Sequence, residues 1–239
     1  MSGSMRPNAD PSETSPSLPH RVAVIGAAGG LGQGVLSVCR TENIAFTAIV
    51  RSRPERITDV PDSSCVMVVP SLADGASLTE AFSGADAVIT AMGVTKASSD
   101  QSALLSANMA TVEASMTAVG VDRIVVINTL LSSAPGKPAS RSMRFFSWLP
   151  GVLGLGASEQ QAVVDALGSG AFSSLRWTLV RAAVHPRGKD EHPVASAEWN
   201  KTLNSFRPVS YEAMGRWMLE EAVANEFVRA APTVSRRRK

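Results

Sequence analysis

The sequence predicts an α/β fold with a doubly wound parallel sheet, on the strength of three observations. Short β-branched runs alternate with longer helical patterns, which is typical of βαβ units and of a sheet buried on both faces. Closely spaced glycines follow the first run and precede an apolar helical pattern. The chain has 239 residues, 44% of them hydrophobic, so it can bury one core but not a large second domain.

Six runs are predicted to form the parallel sheet, with right-handed crossovers between parallel neighbours. The predicted strands are residues 22–25, 45–50, 66–69, 87–90, 124–128 and 177–181. The predicted helices are residues 31–40, 77–82, 101–119 and 158–167. In the third helix the apolar residues come close to the three-to-four spacing of a core-facing stripe.

Tails are predicted on both sides of a single folded domain at residues 21–235. Residues 1–20 are polar and rich in Ser and Pro, so they are expected to be disordered. Residues 186–206 are expected to form only a small C-terminal cap. Residues 236–239 (Arg-Arg-Arg-Lys) form a basic tail, which leaves the rest of the chain slightly acidic although the formal net charge is +2. We interpret this tail as a solvated end, with attraction of nucleic acid, anionic lipid or a nuclear import receptor as the alternative.

Composition also bounds the location and the chemistry. No run approaches the ~20 apolar residues that a membrane span needs, and residues 1–20 contain no apolar signal core. We therefore expect a soluble cytoplasmic protein without membrane or nucleic-acid partners, with a nuclear location left open by the basic tail. Two cysteines, Cys39 and Cys65, lack metal or redox spacing, and we expect both thiols to be buried. The three histidines do not cluster, so no metal site is expected.

Residues 132–156 fit neither a strand nor a helix pattern. The segment carries Lys137, Arg141 and Arg144, and it ends in the bulky apolar residues 145–149. Two interpretations stay open: a lid or binding loop, or a partly helical cover packed on the core. Residues 145–149 are also a candidate surface for a protein partner.

The glycines after the first strand indicate a dinucleotide site. In this pattern the first glycine permits a tight turn, the second lets the backbone approach a diphosphate, and the third allows close packing of helix on strand. The helix that begins near Gly30 then presents backbone N–H groups and a positive dipole end to phosphates. The pattern predicts a Rossmann-type fold, with cofactor contacts from Gly26, Ala28, Gly29, Gly30, Leu31 and Gly32.

The end of the second strand favours NADP over NAD. An NAD site usually has Asp or Glu there for the ribose 2′-hydroxyl. This chain instead has Arg51, Ser52 and Arg53, and a guanidinium can bind the 2′-phosphate that a carboxylate would repel. A solvated basic loop is the alternative interpretation.

Together these features resemble the atypical short-chain dehydrogenase/reductases, in the NAD(P)H-binding group that includes NmrA-like proteins and biliverdin reductase B. The resemblance covers most of residues 21–235. Its landmarks, in chain order, are residues 26–32, 50–51, 86–88, 91–93, 120–126, 177–181 and 227–235.

The resemblance implies further site residues. Turns after the third and fourth strands would line the cofactor, and the ends of the fifth and sixth strands would frame the substrate side. The residues implied are Ser71, Leu72, Ala91, Met92, Gly93, Asn128, Ala182 and Val184 for the cofactor, and Thr129 and His185 for proton transfer to a small-molecule substrate. Ser71 departs from the family, which often has an acid there.

A second departure concerns catalysis. Members with the usual reductase chemistry carry Tyr and Lys four apart on the helix before the sixth strand. Residues 157–164 contain neither, and the single tyrosine, Tyr211, lies far downstream. A proton donor is therefore missing from its usual place.

Three functions stay open. The first is an NADPH-dependent oxidoreductase without the Tyr/Lys pair, acting on a small carbonyl, quinone or flavin-like acceptor. The second is a non-catalytic NADP(H)-binding redox sensor or scaffold, as the NmrA-like proteins suggest. The third is a redox-neutral isomerase or lyase, for which Glu159, Asp190, Glu191 and His192 are the candidate groups.

Overall fold

The central sheet forms from short runs whose side chains are mostly buried on both faces. A computed structural model describes residues 17–93, 104–197, 203–204 and 207–237. Its strands are β1 (Arg21–Ile25), β2 (Ala45–Val50), β3 (Cys65–Val68), β4 (Ala87–Thr90), β5 (Arg123–Thr129), β6 (Arg176–Ala182), β7 (Val184–Lys189), β8 (Val194–Ser196), β9 (Leu203–Asn204) and β10 (Thr233–Arg237).

The strand order is β3-β2-β1-β4-β5-β6-β10-β8, and β9 pairs with β10. All pairs from β3 to β10 are parallel, whereas β8 and β9 run antiparallel to β10. Chain order reverses at β1, which pairs with both β2 and β4. A crevice opens at the carboxyl ends of the strands at such a reversal.

Helices cover both faces of the sheet. They are α1 (Gly30–Thr41), α2 (Gly75–Phe82), α3 (Leu105–Ala118), α4 (Arg141–Ser147), α5 (Val152–Gly168) and α6 (Tyr211–Ala224). Helices α1 and α6 share one buried apolar cluster with the sheet, and α2, α3 and α5 share the other. The doubly wound parallel α/β fold predicted from the sequence is therefore confirmed.

Helices α1 and α6 approach each other closely because glycines face the contact. A Cβ atom on Gly34 of α1 would lie 2.5 Å from the carbonyl group of Tyr211, at the start of α6. One turn further along α6, a Cβ atom on Gly215 would lie 2.9 Å from the Cα atom of Val35. These contacts hold the beginnings of the two helices side by side at the carboxyl edge of the sheet.

A buried ion pair fixes α6 to the opposite edge. Nη2 of Arg123 lies 2.8 Å from Oε1 of Glu221, and both side chains are almost completely buried. The guanidinium also donates to the Thr178 hydroxyl and to the carbonyl of Arg176. Burial lowers the pKa of Arg123, and the charge of Glu221 opposes this shift. The pair links α6 with β5 and β6.

The segment at residues 132–156 is partly helical. The Ser140 hydroxyl accepts a hydrogen bond from the Met143 N–H and caps α4. Met143 is buried, but the Phe145 and Trp148 side chains are 59% and 82% exposed, so most of this predicted cover does not pack on the core. Helix α5 begins six residues before the predicted start, because Gly151, with φ of +78°, turns the chain directly into it. Residues 101–103 of the third predicted helix lie outside the described part of the chain.

Parts of both predicted tails belong to the described structure. Leu18 packs against the core, and the Asp86 carboxylate accepts hydrogen bonds from the backbone N–H groups of His20 and Arg21. At the other end Arg236 and Arg237 belong to β10, and Arg236 forms an ion pair with Glu191. Residues 1–16 and 238–239 lie outside the described residues. Among the helices that are described, none is both long and apolar enough to cross a membrane.

The two cysteines have different environments, which corrects the expectation that both are buried. Cys39 lies in the core, and burial raises the pKa of its thiol to about 12. Cys65, at the start of β3, is exposed.

We expect one fast-reacting thiol in the native protein. At pH 8 the thiolate fraction of Cys39 is about one in ten thousand and its thiol is buried, whereas the Cys65 thiol is exposed to the reagent. Titration with a coloured disulfide reagent should give one thiol in buffer and two in denaturant. Cys65→Ser should remove the fast reaction, and two equally fast native thiols would contradict the assignment.

Candidate functional site

A cavity of about 460 Å³ opens at the carboxyl edge of the sheet, at the reversal of strand order. Its walls come from the turn after β1 and from the segments at the ends of β2, β3 and β4. The lining residues are Ile25, Gly26, Ala28, Gly29, Ile49, Val50, Arg51, Ser52, Arg53, Arg56, Val69, Pro70, Leu72, Ala91, Met92 and Gly93. This is the crevice in which doubly wound folds bind their ligands.

The glycine turn forms one wall. Gly26 has φ of +82°, a left-handed conformation that other residues rarely adopt, and its N–H donates to the Ile49 carbonyl. On the first turn of α1, a Cβ atom at Gly32 would lie 2.4 Å from the Gly26 carbonyl oxygen. The absence of a side chain there lets α1 begin directly against the turn.

The first turn of α1 leaves its backbone N–H groups without a side-chain cap. Gly29 is the N-cap residue and has no side-chain acceptor, and the first turn contains no acidic residue. By contrast, α2, α4 and α6 are capped by Asp74, Ser140 and Ser210. Uncapped amides at a helix N-terminus favour a bound anion such as a phosphate.

Arginines form the wall at the end of β2. Arg51, Arg53 and Arg56 are exposed and line the cavity, and none of the residues that line it is acidic. Arg56 lies on a short 3₁₀ turn (Pro54–Arg56), and its carbonyl accepts a hydrogen bond from the Gln33 side chain on α1. Arg40 of α1 holds the following residues through their carbonyl groups. The basic wall is therefore attached to the same helix that offers its amides.

Ten of the residues predicted to bind the cofactor line this cavity: Gly26, Ala28, Gly29, Arg51, Ser52, Arg53, Leu72, Ala91, Met92 and Gly93. The other seven do not: Gly30, Leu31, Gly32, Ser71, Asn128, Ala182 and Val184. Leu31 and Gly32 are buried beneath the turn, and the Ser71 hydroxyl accepts a hydrogen bond from the Ala73 N–H.

The end of β5 is held by α5. The Asn128 amide, which is buried, donates to the Gln160 carbonyl. The Thr129 N–H donates to the side-chain oxygens of both Asn128 and Gln160. These contacts leave the Asn128 side chain engaged within the protein, and they place the half-buried Thr129 at the carboxyl edge.

The two predicted proton-transfer residues are not hydrogen-bonded to each other. His185 is exposed on β7, and its Nδ1 atom accepts a hydrogen bond from the Arg187 N–H at 3.1 Å. Thr129 Oγ1 instead accepts a long hydrogen bond from the Leu131 N–H. The structure therefore places them on separate elements, at the ends of β5 and in β7.

The groups considered for redox-neutral chemistry have structural partners. The Glu159 carboxylate accepts hydrogen bonds from the N–H and hydroxyl of Ser106 and caps α3. Glu191 pairs with Arg236, and His192 lies 3.5 Å from Glu220. These contacts give Glu159, Glu191 and His192, three of the four groups, a structural role. Among the described residues no three His, Cys, Asp or Glu side chains form a cluster that could hold a metal ion.

Sequence reasoning missed Arg56, Gln160 and the position of Tyr211. Arg56 belongs to the basic run after β2, but the sequence does not predict the 3₁₀ turn that places it at the cavity. Gln160 lies one residue from Glu159 in a helix whose start was predicted too late. The ring of Tyr211 lies against Gly30, a contact between distant residues that no local pattern indicates.

Several solved structures share this fold. A candidate epimerase of Bacteroides thetaiotaomicron is 19% identical, with a TM-score of 0.73 over 92% of this chain and 99% of that one. A short-chain dehydrogenase/reductase of Veillonella parvula, solved in complex with NADP, is 18% identical, with a TM-score of 0.63 over 91% and 95%. The anaerobilin reductase ChuY of Escherichia coli O157:H7 is 14% identical, with a TM-score of 0.63 over 90% and 96%. No curated protein sequence matches significantly.

At these identities the likeness shows the fold alone, so the family rests on the sequence itself. The model of the family described as NAD(P)H-binding matches residues 26–226, well over half of the chain. The match begins at the glycine that opens the turn and includes the cavity-lining residues from Gly26 to Gly93. The chain therefore belongs to the NAD(P)H-binding family.

Proposed function

We propose that the chain is an NADPH-dependent oxidoreductase that acts on a small carbonyl, quinone or flavin-like acceptor without a Tyr/Lys pair. The observation that carries the proposal is the cavity itself. The glycine turn lies on one side and ends in Gly29, the N-cap residue of the uncapped α1; three arginines lie on another side, and no acidic residue lines the cavity. The NADP complex and the reductase named among the structures of this fold support the same assignment.

The choice of NADPH follows from charge. A 2′-phosphate carries the negative charge that distinguishes NADPH from NADH, and Arg51, Arg53 and Arg56 can donate charge-assisted hydrogen bonds to it. The nearest acidic residue in the segment, Glu55, does not line the cavity. Because Gln33 of α1 donates to the Arg56 carbonyl, the backbone of the basic turn needs little rearrangement when the phosphate binds.

The reduced nicotinamide supplies the hydride when the cofactor is bound. The chain's own residues would then position the reactants. Ala91, Met92 and Gly93 leave room for a ring at the end of β4, since a Cβ atom at Gly93 would meet nothing within 4 Å. The Thr129 hydroxyl and the His185 ring are the proposed sources of the proton for the acceptor, and Gln160 would act by positioning Thr129.

Substitution of the arginines should reduce the preference for NADPH over NADH. Arg51→Ala, Arg53→Ala and Arg56→Ala should weaken NADPH binding, with a loss of about tenfold or more where a guanidinium binds the 2′-phosphate, and should change NADH binding little. Calorimetric titration of both coenzymes measures this. Arg141→Ala, an exposed arginine on α4 that does not line the cavity, is the matched control. Equal losses for NADPH and NADH would contradict recognition of the 2′-phosphate.

Turnover tests the reaction. The purified chain should oxidise NADPH with at least one member of a panel of quinones, flavins and aldehydes, followed by loss of the near-ultraviolet absorbance of the reduced nicotinamide. Thr129→Val or His185→Asn should lower kcat by about 100-fold with little change in the Kd for NADPH, because only the proton donor is lost. NADPH binding without turnover on any acceptor would refute the oxidoreductase.

A redox sensor or scaffold is the second candidate, and one observation favours it. Phe145 and Trp148 are exposed apolar side chains, and Arg141 and Arg144 lie beside them on α4. Gln160 meets the end of β5, so the eight residues of α5 before it extend about 12 Å past that level. This arrangement would present residues 145–149 to a protein partner near the cofactor cavity.

The sensor makes a distinct prediction about residues 141–151. If these residues report the cofactor, amide hydrogen exchange there should change when NADPH saturates the protein, because the coenzyme must favour one arrangement of the surface over another. Residues 152–168 of the same helical pair serve as the internal reference. Unchanged exchange in residues 141–151, measured beside active turnover, would contradict the sensor.

A further inference from the structure

The only tyrosine of the chain lies beside the glycine turn. Tyr211 is the first residue of α6 and follows its N-cap, Ser210. Helix α6 lies along α1, and the Tyr211 carbonyl contacts Gly34. Tyr211 is therefore far from the glycine turn along the sequence but adjacent to it in the fold.

The Tyr211 ring occupies the place of a side chain at Gly30. A Cβ atom on Gly30 would lie 2.3 Å from Cε2 and 2.8 Å from Cζ of that ring. Cζ carries the hydroxyl, so the phenol end of the ring lies next to the first turn of α1. In a helix the Cα–Cβ bond tilts toward the N-terminus, which is the direction from which a phosphate approaches α1.

The Tyr211 ring is half-buried against the core cluster of α1 and α6. Its hydroxyl is not among the buried polar atoms of the described residues that lack a hydrogen-bond partner. The adjacent amides of α1 have no side-chain acceptor, so two kinds of hydrogen-bond donor, a phenol and backbone amides, lie side by side.

We propose that the Tyr211 hydroxyl donates a hydrogen bond to the diphosphate of the bound dinucleotide. Gly30 leaves the space, and α6 supplies the side chain that fills it. This inference rests on the cofactor part of the proposed function and not on turnover. It assigns to Tyr211 a binding role in place of the proton donation that its residue type suggests.

Tyr211→Phe tests the proposal, because it removes the hydroxyl and retains the ring against Gly30. The variant should bind NADPH and 2′-phospho-ADP-ribose about tenfold more weakly than the unaltered chain, since both ligands contain the diphosphate. Binding of adenosine 2′-monophosphate, which lacks the diphosphate, should not change. Calorimetry gives the three Kd values, and an unchanged melting midpoint shows that the fold is retained.

Two results would overturn the proposal. One is unaltered NADPH binding by Tyr211→Phe, and the other is an equal loss for adenosine 2′-monophosphate, which would indicate general damage to the site. Failure of the unaltered chain to bind NADPH would contradict the cofactor assignment as well, so the two failures are distinguishable.

A second measurement needs no substitution at all. Because the chain has one tyrosine, incorporation of fluorotyrosine gives a single fluorine resonance. Titration with 2′-phospho-ADP-ribose should shift that resonance in a saturable manner, with the Kd found by calorimetry. Adenosine 2′-monophosphate should leave it in place. A chemical shift that stays the same with both ligands would overturn the proposed contact.

Discussion

The close approach of the α1 backbone to its neighbours is the constraint on which the site depends. At Gly32 the helix contacts the turn that follows β1, and at Gly34 it contacts the start of α6. A side chain at either position would move the helix away from its neighbour by more than an ångström, and its first amides would move with it. The proposed phosphate site thus lies where side chains are absent, and the neighbouring elements pack directly on the α1 backbone.

The same constraint connects distant parts of the chain. Gln33 and Arg40 of α1 hold the basic segment after β2 through backbone carbonyl groups, while glycines let α6 lie against the other side. Burial of the Arg123–Glu221 pair then fixes α6 at the far edge of the sheet. Separation of an ion pair of this kind is costly, because one charge would be left buried alone. Helix α1 therefore lies between two elements that are each anchored elsewhere.

Local patterns predicted most of the fold and ten of the residues that line the cavity. Six β-branched runs identified β1 to β6 to within one residue, because a strand buried on both faces is usually apolar throughout, but the parallel strand β10 was not predicted. The turn at Gly26 could be predicted because its backbone conformation and close contacts require glycine. Residues that follow strand ends could likewise be placed, because parallel strands bring their carboxyl ends to one edge of the sheet.

The features that the sequence did not predict depend mostly on contacts between residues that are distant along the chain. Arg56 reaches the cavity through a 3₁₀ turn, and Tyr211 reaches Gly30 only because α6 packs on α1. The early start of α5 depends on one glycine with positive φ, Gly151, within a Gly-rich stretch that suggested a loop. Exposure of Cys65 reflects the edge position of β3 in the sheet, which composition does not report.

The position of β10 has a consequence for how the molecule is assembled. Although β10 follows every other described strand along the chain, it lies inside the sheet, with β6 on one side and β8 on the other. Until residues 233–237 have been synthesised, β6 therefore has an unpaired edge and β8 has no strand to pair with. Unpaired edges favour pairing with other chains, so we expect a nascent chain that still lacks β10 to be prone to aggregation.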